Sequence, residues 1–298
     1  MAYRSIVLVK QVPDTTDIPS KAMRKDGTLN RSALPATFNN DDRHALEMAL
    51  QFKETYGGTV TVLTMGPPKA SEILREVLYR GADETILLTD KRFAAADTLA
   101  TSYTLSVAIQ KIGHFDLIFC GREATDGNTA QVGPQIAEKL GVPQITYVKD
   151  ICKLEKRRLE AERLTDQGCE IVRSSLPLLL TVVPDANEPR PPVAKRLMRF
   201  KKALTPSEVK HQWQERTDSL DGVNRHCQHL KEKGLLIDEW DAEVLAIEPE
   251  RCGRLGSPTW VKAIERVVIM GGAHKAFPPT DEGINQLMKE LMEEHTFG

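Results

Sequence analysis

The chain contains the stretch Gly121-Arg122-Glu123-Ala124-Thr125-Asp126-Gly127-Asn128-Thr129-Ala130-Gln131-Val132-Gly133. The short apolar run before it, residues 117–120, is typical of a strand buried on both faces. After it, apolar residues recur at helical spacing as far as Leu140, and Gly141 supplies a stop signal. The stretch therefore predicts a strand, a glycine-containing turn and a helix, with Asn128 and Thr129 as its N-cap residues.

Such a turn is a place where α/β proteins bind phosphate. Its backbone N–H groups face a bound anion, and the positive end of the helix dipole lies behind them. An adenine nucleotide diphosphate fits this chemistry, although the spacing matches neither the P-loop nor the Gly-x-Gly-x-x-Gly pattern. An ordinary strand-to-helix loop, whose glycines only permit a tight turn, explains the same residues. On the residues alone both interpretations stay open.

Strands and helices alternate along the first 150 residues. β-Rich runs predict strands at 5–9, 59–64, 84–89, 116–120 and 144–148. Helical spacing predicts helices between them, with Asn39 to Asp42 capping one and Asp97-Thr98 capping another. Helices of this length between strands predict a parallel sheet that binds ligands at the carboxyl ends of its strands. The fold class is thus α/β, with a doubly wound, mostly parallel sheet.

Later segments extend this domain. Residues 149–161 and 169–174 predict an antiparallel excursion, and the apolar run 176–183 predicts the strand that completes the sheet. We therefore assign residues 1–200 to a nucleotide-binding α/β domain and 201–298 to a peripheral C-terminal arm that is expected to contact partner subunits. Within the arm, residues 280–294 predict a helix with an apolar stripe, covered either by its own domain or by a partner subunit. Residues 25–28 predict a hairpin tip.

Composition and charge argue against several classes of function. The 298 residues are 41% hydrophobic and carry 40 Lys+Arg against 42 Asp+Glu, so nothing in the net charge of −2 favours nucleic acid or an anionic membrane. No run approaches the roughly 20 apolar residues of a membrane span, and no signal peptide is recognisable. The five cysteines are scattered and odd in number, which favours a reducing compartment. We expect a cytoplasmic protein.

Several local patterns favour ordinary structural roles. The pattern His226-Cys227-x-His229 lacks a second ligand pair, so we predict no metal site. The basic cluster at 195–202 has few interleaved aromatic residues, which favours a solvated or subunit-facing surface. No serine lies in a nucleophile elbow, and we assign no catalytic residue. Cys120, on a predicted buried strand, is expected to pack in the core.

Five blocks of sequence, in order, resemble the β subunit of electron transfer flavoproteins. They are Val9 to Thr15, Asn39 to Glu47, Gly121 to Pro134, Pro143 to Tyr147 and Asn187 to Arg190. The resemblance runs over roughly residues 5–200, and beyond 205 only Gly256-Ser257-Pro258-Thr259 matches. It implies a doubly wound nucleotide-binding fold and a heterodimer with an FAD-carrying α subunit.

The resemblance also separates two kinds of β subunit. Some hold AMP as a structural nucleotide, whereas a bifurcating subset holds a second FAD that reacts with NADH. Residues 64–68 and 90–103 resemble the bifurcating subset, in which hydroxyls and backbone N–H groups at two helix N-termini receive the flavin's diphosphate and ribityl portions. FAD is therefore the expected cofactor, with AMP as the alternative.

Carried over by position, the resemblance implies a set of cofactor-binding residues. Asp97, Thr98 and Thr101 would serve the FAD-specific part. Glu123 stands where glutamine is common in the family and would bias the flavin potential differently from an amide. The adenosine and diphosphate contacts would be Leu8, Lys10, Asn39, Asn40, Asp41, Asp42, Met65, Gly66, Gly121, Arg122, Glu123, Ala124, Thr125, Asp126, Gly127, Asn128, Thr129, Ala130, Gln131, Val132 and Gly133.

The implied function is electron transfer. A hydride from NADH would reduce the FAD of the β subunit, after which one electron would go to the FAD of the α subunit and the other to ferredoxin. From the α subunit the electron would pass to a flavin dehydrogenase of the acyl-CoA, lactate or quinone type. No acid or base is required of this chain, because its task is positioning and potential tuning.

Overall fold

The computed structural model describes residues 2–14, 34–214, 220–259 and 275–293. Its strands in these ranges are β1 (Tyr3–Leu8), β2 (Gln11–Pro13), β3 (Ala36–Phe38), β4 (Gly58–Met65), β5 (Glu84–Leu88), β6 (Leu117–Gly121), β7 (Gln144–Glu155), β8 (Arg158–Thr165), β9 (Gly168–Ser175), β10 (Leu178–Val182) and β11 (Asp238–Trp240). Its helices are α1 (Asn40–Tyr56), α2 (Ser71–Arg80), α3 (Thr98–Ile112), α4 (Val132–Leu140), α5 (Ala194–Phe200), α6 (Pro206–Gln214), α7 (Leu220–Glu232) and α8 (Asp281–Glu293). The predicted hairpin tip at 25–28 lies outside the described residues.

The main sheet has the order β11-β5-β4-β1-β6-β10-β7-β8-β9. From β11 to β7 every neighbouring pair is parallel, and β8 and β9 continue the sheet antiparallel. The chain leaves β1 toward β4 and β5 on one side and returns to β6 on the other. The strand order therefore reverses between β1 and β6, which is where open α/β sheets bind ligands.

Helices cover both faces of the sheet. Leu46 of α1 and Leu74 of α2 belong to one buried cluster, together with Val62 of β4. Ile109 of α3 and Ile136 of α4 belong to the second cluster, on the other face. These side chains are at most 1% exposed, and burying a side chain of this size stabilises the fold by about 1.5–3 kcal/mol. The predicted doubly wound α/β class is confirmed.

Two predictions about the later strands are wrong. The segment 149–161 is not one strand, because a turn at Lys156-Arg157, both with positive φ, divides it between β7 and β8. The excursion is thus a three-stranded meander of β7, β8 and β9. The sheet is also not complete after β10, since β11 from the predicted arm adds a parallel strand beside β5. A three-residue strand leaves no periodic signal to read.

The described residues fall into two compact units. Residues up to 259 belong to the first, and residues 275–293 belong to the second. In the second unit, α8 exposes Ile284, Leu287, Met288 and Met292. What covers this predicted apolar stripe stays open. Among the described helices none is long and apolar enough to cross a bilayer.

Candidate functional site

Asp42 joins the two strands at which the sheet order reverses. Its carboxylate oxygens accept hydrogen bonds from the backbone N–H groups of Lys10, at 2.8 Å, and of Gly121, at 3.1 Å. These residues lie at the carboxyl ends of β1 and β6. Burial raises the pKa of Asp42 to about 7, against hydrogen bonds from Asn39, Lys10 and Gly121 that act to lower it. The buried carboxyl group therefore fixes the spacing of the two strand ends.

Asp41 and Asn39 hold the loop that follows β6. The Asp41 carboxylate lies 3.5 Å from Nε of Arg122, and burial raises the pKa of Asp41 although Arg122 opposes this. Asn39 is fully buried: its Nδ2 donates to the carbonyl oxygen of Glu123 at 2.9 Å, and its Oδ1 accepts from the N–H of Thr125 at 3.2 Å. The start of α1 is thus a scaffold for the loop at the end of β6.

Within the loop, Asn128 and Ala130 adopt left-handed backbone conformations, with φ of 48° and 52°. The Asn128 amide, with its nitrogen turned inward, donates to the carbonyl oxygens of Ala124 and Thr125 at 3.0 Å each. Such local hydrogen bonds allow asparagine to adopt this conformation. The side chain of Asn128 is therefore used to shape the loop.

Helix α4 begins later than predicted. Its N-cap residue is Gln131, not Asn128 or Thr129, and no side chain caps the helix. In the described part of the chain, none of the backbone N–H groups of residues 129–133 has an acceptor. The two left-handed residues cause the difference, because they turn the chain before the helix can start. The delay leaves a row of free donors at the positive end of α4, which suits a phosphate.

Gly133 lets α4 approach the sheet. A Cβ atom at this position would lie 2.8 Å from Sγ of Cys120 and 3.0 Å from Cγ2 of Thr181. Cys120 is buried, and burial and the charge of Asp42 raise the pKa of its thiol, so the group is neutral core packing, as predicted. Close packing at Gly133 brings the free N–H groups over the end of β6.

The start of α3 differs from that of α4. Asp97 caps α3 as predicted, and its Oδ1 accepts from the N–H groups of Leu99 and Ala100 at 3.0 Å each. Two of the first three N–H groups of α3 are therefore already satisfied by a carboxylate. The expectation that N–H groups at two helix N-termini hold the diphosphate stays a prediction, and at the start of α3 the Asp97 carboxylate already accepts from two of these groups. Of these two helices, α4 presents the longer row of free N–H groups, and α3 contributes mainly hydroxyl groups.

The two predicted halves of the site are adjacent. The hydroxyl of Thr98 donates to Oε1 of Gln131 at 2.9 Å, which joins the start of α3 to the loop before α4. Nε2 of Gln135 reaches the same hydroxyl at 3.4 Å, and Ser102 donates to Oε1 of Gln135 at 3.0 Å. Thr101 lies one residue before Ser102 and is half-buried. The residues predicted from two distant sequence blocks thus form one surface.

The other predicted residues lie at the same edge of the sheet. Leu8 pairs with Cys120, and Met65 ends β4 with Gly66 directly after it. The Lys10 ammonium contacts Asp126 at 2.7 Å across the loop. Asn40 is exposed and contacts His44 at 3.5 Å. The structure therefore brings these residues to one place, while their individual contacts with a nucleotide stay predictions.

Three polar groups near this edge are not among the predicted site residues. Thr64, the penultimate residue of β4, is fully buried, and its hydroxyl has no partner within the described residues. Ser257 and Thr259 of the arm contact Asp97. The only signal for the last two was the short match at 256–259. A buried unpaired hydroxyl and free N–H groups are donors that suit the hydroxyls and phosphates of a nucleotide.

The other patterns have structural explanations. Arg196 of the basic cluster donates to the carbonyl oxygens of Leu78 and Ala82, beside the end of α2. Among the described residues no group of His, Cys, Asp and Glu could hold a metal ion, and His226 with His229 forms no such group. Glu123, which stands where glutamine is common in the family, accepts a hydrogen bond from Arg122 at 2.7 Å.

Comparison with known proteins agrees with this geometry. A family model for the electron transfer flavoprotein domain matches residues 26–206. The chain is 38% identical over 291 residues to electron transfer flavoprotein subunit beta of Clostridium acetobutylicum, covering 97% of this chain and 98% of that protein. It is 39% identical over 294 residues to caffeyl-CoA reductase-Etf complex subunit CarD of Acetobacterium woodii, covering 98% and 99%.

A third relative is acryloyl-CoA reductase electron transfer subunit gamma of Anaerotignum propionicum. Identity is 37% over 290 residues, covering 96% of this chain and 92% of that protein. The similarity extends through the arm as well as the α/β domain. The phosphate-suited turn, the doubly wound sheet and these full-length matches together lead to one conclusion: the chain belongs to the β-subunit family of electron transfer flavoproteins.

Proposed function

We propose that this chain is the β subunit of a bifurcating electron transfer flavoprotein and that it binds FAD. NADH is the hydride donor in this proposal. The two electrons then separate, one going to the FAD of the α subunit and on to a partner dehydrogenase, the other to ferredoxin. When bound, FAD supplies both the hydride acceptance and the single-electron transfers.

The adjacency of two surfaces carries this proposal. The free N–H groups of residues 129–133 suit a diphosphate, and the Thr98 hydroxyl lies 2.9 Å from Gln131 at the edge of that row. An AMP needs only the first surface. The hydroxyl of Thr101 and the remaining acceptor lone pair of the Thr98 hydroxyl add hydrogen-bonding partners for a longer ligand, such as the ribityl chain of FAD.

The chain's own residues bind and orient the ligand in this proposal. The N–H groups before α4 hold phosphate, while Asp42 and Asn39 fix the loop that carries them. Lys10 and Arg122 lie beside the loop, and each is paired with a carboxylate, so their charges are balanced within the chain. No side chain acts as an acid or a base. The rate of hydride transfer and the reduction potential of the flavin then depend on how these groups position it.

The printed names of the relatives supply a second line of support. Two of them, the caffeyl-CoA reductase-Etf complex subunit and the acryloyl-CoA reductase electron transfer subunit, are named for complexes with acyl-CoA reductases. We extend this to the present chain as a proposal: its partners are an α subunit and a flavin dehydrogenase, with the acyl-CoA class favoured over the lactate and quinone classes.

The decisive experiment counts cofactors. The chain is produced together with its α subunit, and the purified heterodimer is analysed for FAD and AMP after denaturation. We expect two FAD per heterodimer, and NADH should bleach the flavin absorbance. One FAD plus one AMP would overturn the proposal and establish the alternative, an AMP-holding β subunit without NADH chemistry. A chain that stays monomeric and carries ATP would overturn both.

A further inference from the structure

A segment of the C-terminal arm, residues 252–259, contacts the start of α3; we call it the arm segment. Oδ2 of Asp97 accepts from the backbone N–H of Thr259 at 3.1 Å and from its hydroxyl at 2.7 Å. The backbone N–H of Asp97 in turn donates to Oγ of Ser257 at 2.8 Å. Three hydrogen bonds therefore join Asp97 to residues about 160 positions later in the chain.

The arm segment is itself firmly placed. The Ser257 hydroxyl donates to the carbonyl oxygen of Gly253 at 2.6 Å. Gly253 has a φ of +53°, and a Cβ atom there would meet the Arg92 carbonyl oxygen at 1.8 Å, so the segment lies directly against the backbone that precedes α3. Cys252 is 1% exposed. Close packing of this kind transmits a change in position from one segment to the next.

A contact just before the arm segment reaches the second turn of α3. The Arg251 guanidinium lies 4.1 Å from the centre of the Tyr103 ring, which is a cation–π distance. The arm thus touches α3 both at its cap and one turn and a half further on. These contacts restrain the direction of the helix as well as its first residue.

Asp97 divides its carboxylate between two partners. Oδ1 serves the N–H groups of α3, and Oδ2 serves Thr259. Burial acts to raise the pKa of Asp97, but hydrogen bonds from Ala100, Thr259 and Leu99 outweigh it and lower the pKa. The ionised Asp97 carboxylate therefore links α3 to the arm segment, and both of its oxygens are occupied by these hydrogen bonds. Its neighbour Thr98 is the residue that contacts Gln131.

We propose that Ser257 and Thr259 are positioning residues for the flavin-specific half of the nucleotide site. They hold Asp97, Asp97 holds the start of α3, and that start sets where the hydroxyls of Thr98 and Thr101 lie relative to the loop before α4. The arm would then determine whether the site accepts FAD in full or only its AMP portion. This inference rests on the proposed function.

The test uses the complete heterodimer with its α subunit. Ser257→Ala and Thr259→Val are combined, and FAD and AMP are titrated separately into protein stripped of nucleotide. We expect the affinity for FAD at the β site to fall at least about tenfold and the affinity for AMP to change less than about twofold. AMP is spared because the α4 half of the site is untouched. A variant with Thr259→Ser alone keeps the hydroxyl, so it should retain most of the FAD affinity of the wild-type protein.

Ser207→Ala is the matched control. Ser207 is another arm serine whose hydroxyl donates to an acid, Glu239, at 2.6 Å, and neither residue belongs to α3. Its loss should leave both affinities unchanged. Unchanged FAD affinity in the double variant would overturn the inference, and so would an equal loss of FAD and AMP binding, which indicates general damage.

A second readout separates the inference from the proposed function. If the wild-type heterodimer holds AMP and one FAD, the proposed function fails on that result alone. Amide hydrogen exchange at Leu99 and Ala100 then tests the positioning role. Faster exchange in the double variant supports the role of Ser257 and Thr259 in holding α3, and unchanged exchange contradicts it.

Discussion

The backbone N–H of Gly121 donates to Oδ1 of Asp42 at 3.1 Å, and a Cβ atom on Gly121 would lie 2.5 Å from that same oxygen. Only glycine fits at this position, because any side chain would collide with the oxygen that accepts its hydrogen bond. The carboxyl group spans β1 and β6 where the sheet order reverses, and the loop that follows Gly121 carries the free donors of the site. A buried acid therefore supports the proposed nucleotide site, because it holds the two strand ends from which the loop starts.

The first prediction concerns Asp42 and pH. Its pKa of about 7 in the folded chain lies above the ordinary value of 3.8, so between these values the folded state keeps a proton that the unfolded state has lost. Stability from this group is full at low pH and is lost as pH rises toward 7. Relative to Asp42→Asn, the wild-type free energy of unfolding should fall by on the order of 1 kcal/mol per pH unit across this window.

Urea unfolding of both proteins from about pH 5 to about pH 8 measures this difference. The decisive quantity is how the difference in unfolding free energy changes with pH, because the Asp42→Asn amide also disturbs one of the two backbone hydrogen bonds at every pH. Parallel stability curves for the two proteins would show that the carboxyl group ionises without the burial penalty.

The second prediction concerns packing at Gly133. Gly133→Ala should lower the free energy of unfolding by about 1–3 kcal/mol, because its Cβ would lie 2.8 Å from Sγ of Cys120. Adding Cys120→Ala removes that sulfur and should recover at least part of the loss. Gly127→Ala is the matched control in the same loop, with no atom within 4 Å of a Cβ, and should leave stability unchanged within about 0.5 kcal/mol. Equal effects of the two single alanines would contradict this.

The third prediction tests the phosphate position. Ala130 has a φ of 52° and sits in the row of free N–H groups, so both aspartate and asparagine suit its backbone better than alanine does. Ala130→Asp places a negative charge where the phosphate is proposed to bind, whereas Ala130→Asn has the same shape without the charge. Calorimetric titration should show at least about tenfold weaker binding of AMP and of FAD for the aspartate variant only. Similar affinities for both variants would place the phosphate elsewhere.

The fourth prediction concerns the ion pairs of Arg190. Its guanidinium donates to Glu47, which is 4% exposed, and also to Glu54, whose side chain is 61% exposed. Burial acts to raise the pKa of Glu47, but the hydrogen bonds from Arg190 lower it overall, so the stabilisation is present above its ordinary pKa and lost as pH falls through the lowered value.

Glu47→Gln should therefore cost about 2–4 kcal/mol of unfolding free energy near neutral pH, and Glu54→Gln less than about 1 kcal/mol, because the exposed pair is screened. Thermal and denaturant unfolding of the two variants measure this contrast. A larger loss of unfolding free energy for Glu54→Gln than for Glu47→Gln would mean that the exposed ion pair contributes more than the buried one.

Local sequence predicted what depends on neighbours along the chain. The alternation of strands and helices, the cap at Asp97 and the core position of Cys120 all follow from residue types and spacing within about a dozen positions. The resemblance to the family added which blocks belong to one site. The contact between Thr98 and Gln131 confirms that two of those blocks are neighbours.

Two local predictions, the N-cap of α4 and the strand at 149–161, failed because contacts elsewhere in the chain override local preference. Asn128 and Thr129 are good N-cap residues, yet left-handed conformations at Asn128 and Ala130 delay α4 to Val132. The segment 149–161 has a uniform charged composition, which hides the turn at Lys156-Arg157. The loop before α4 is held by hydrogen bonds to Asn39. In the hairpin turn, Arg157 pairs with Asp116 and its carbonyl oxygen accepts from the N–H of Leu176, so partners outside each segment fix its conformation.

By itself, the sequence determined the fold class and the family, and it predicted the loop proposed to bind phosphate, because these depend on periodicity and on contiguous motifs. Tertiary structure alone decided which donors are free. Asp97 satisfies the start of α3 and reaches Thr259, 162 residues later, while the start of α4 has no such cap. Hydrogen-bond partners are chosen by distance in space, and a chain that folds back through a nine-stranded sheet makes neighbours of residues whose separation in sequence carries no signal.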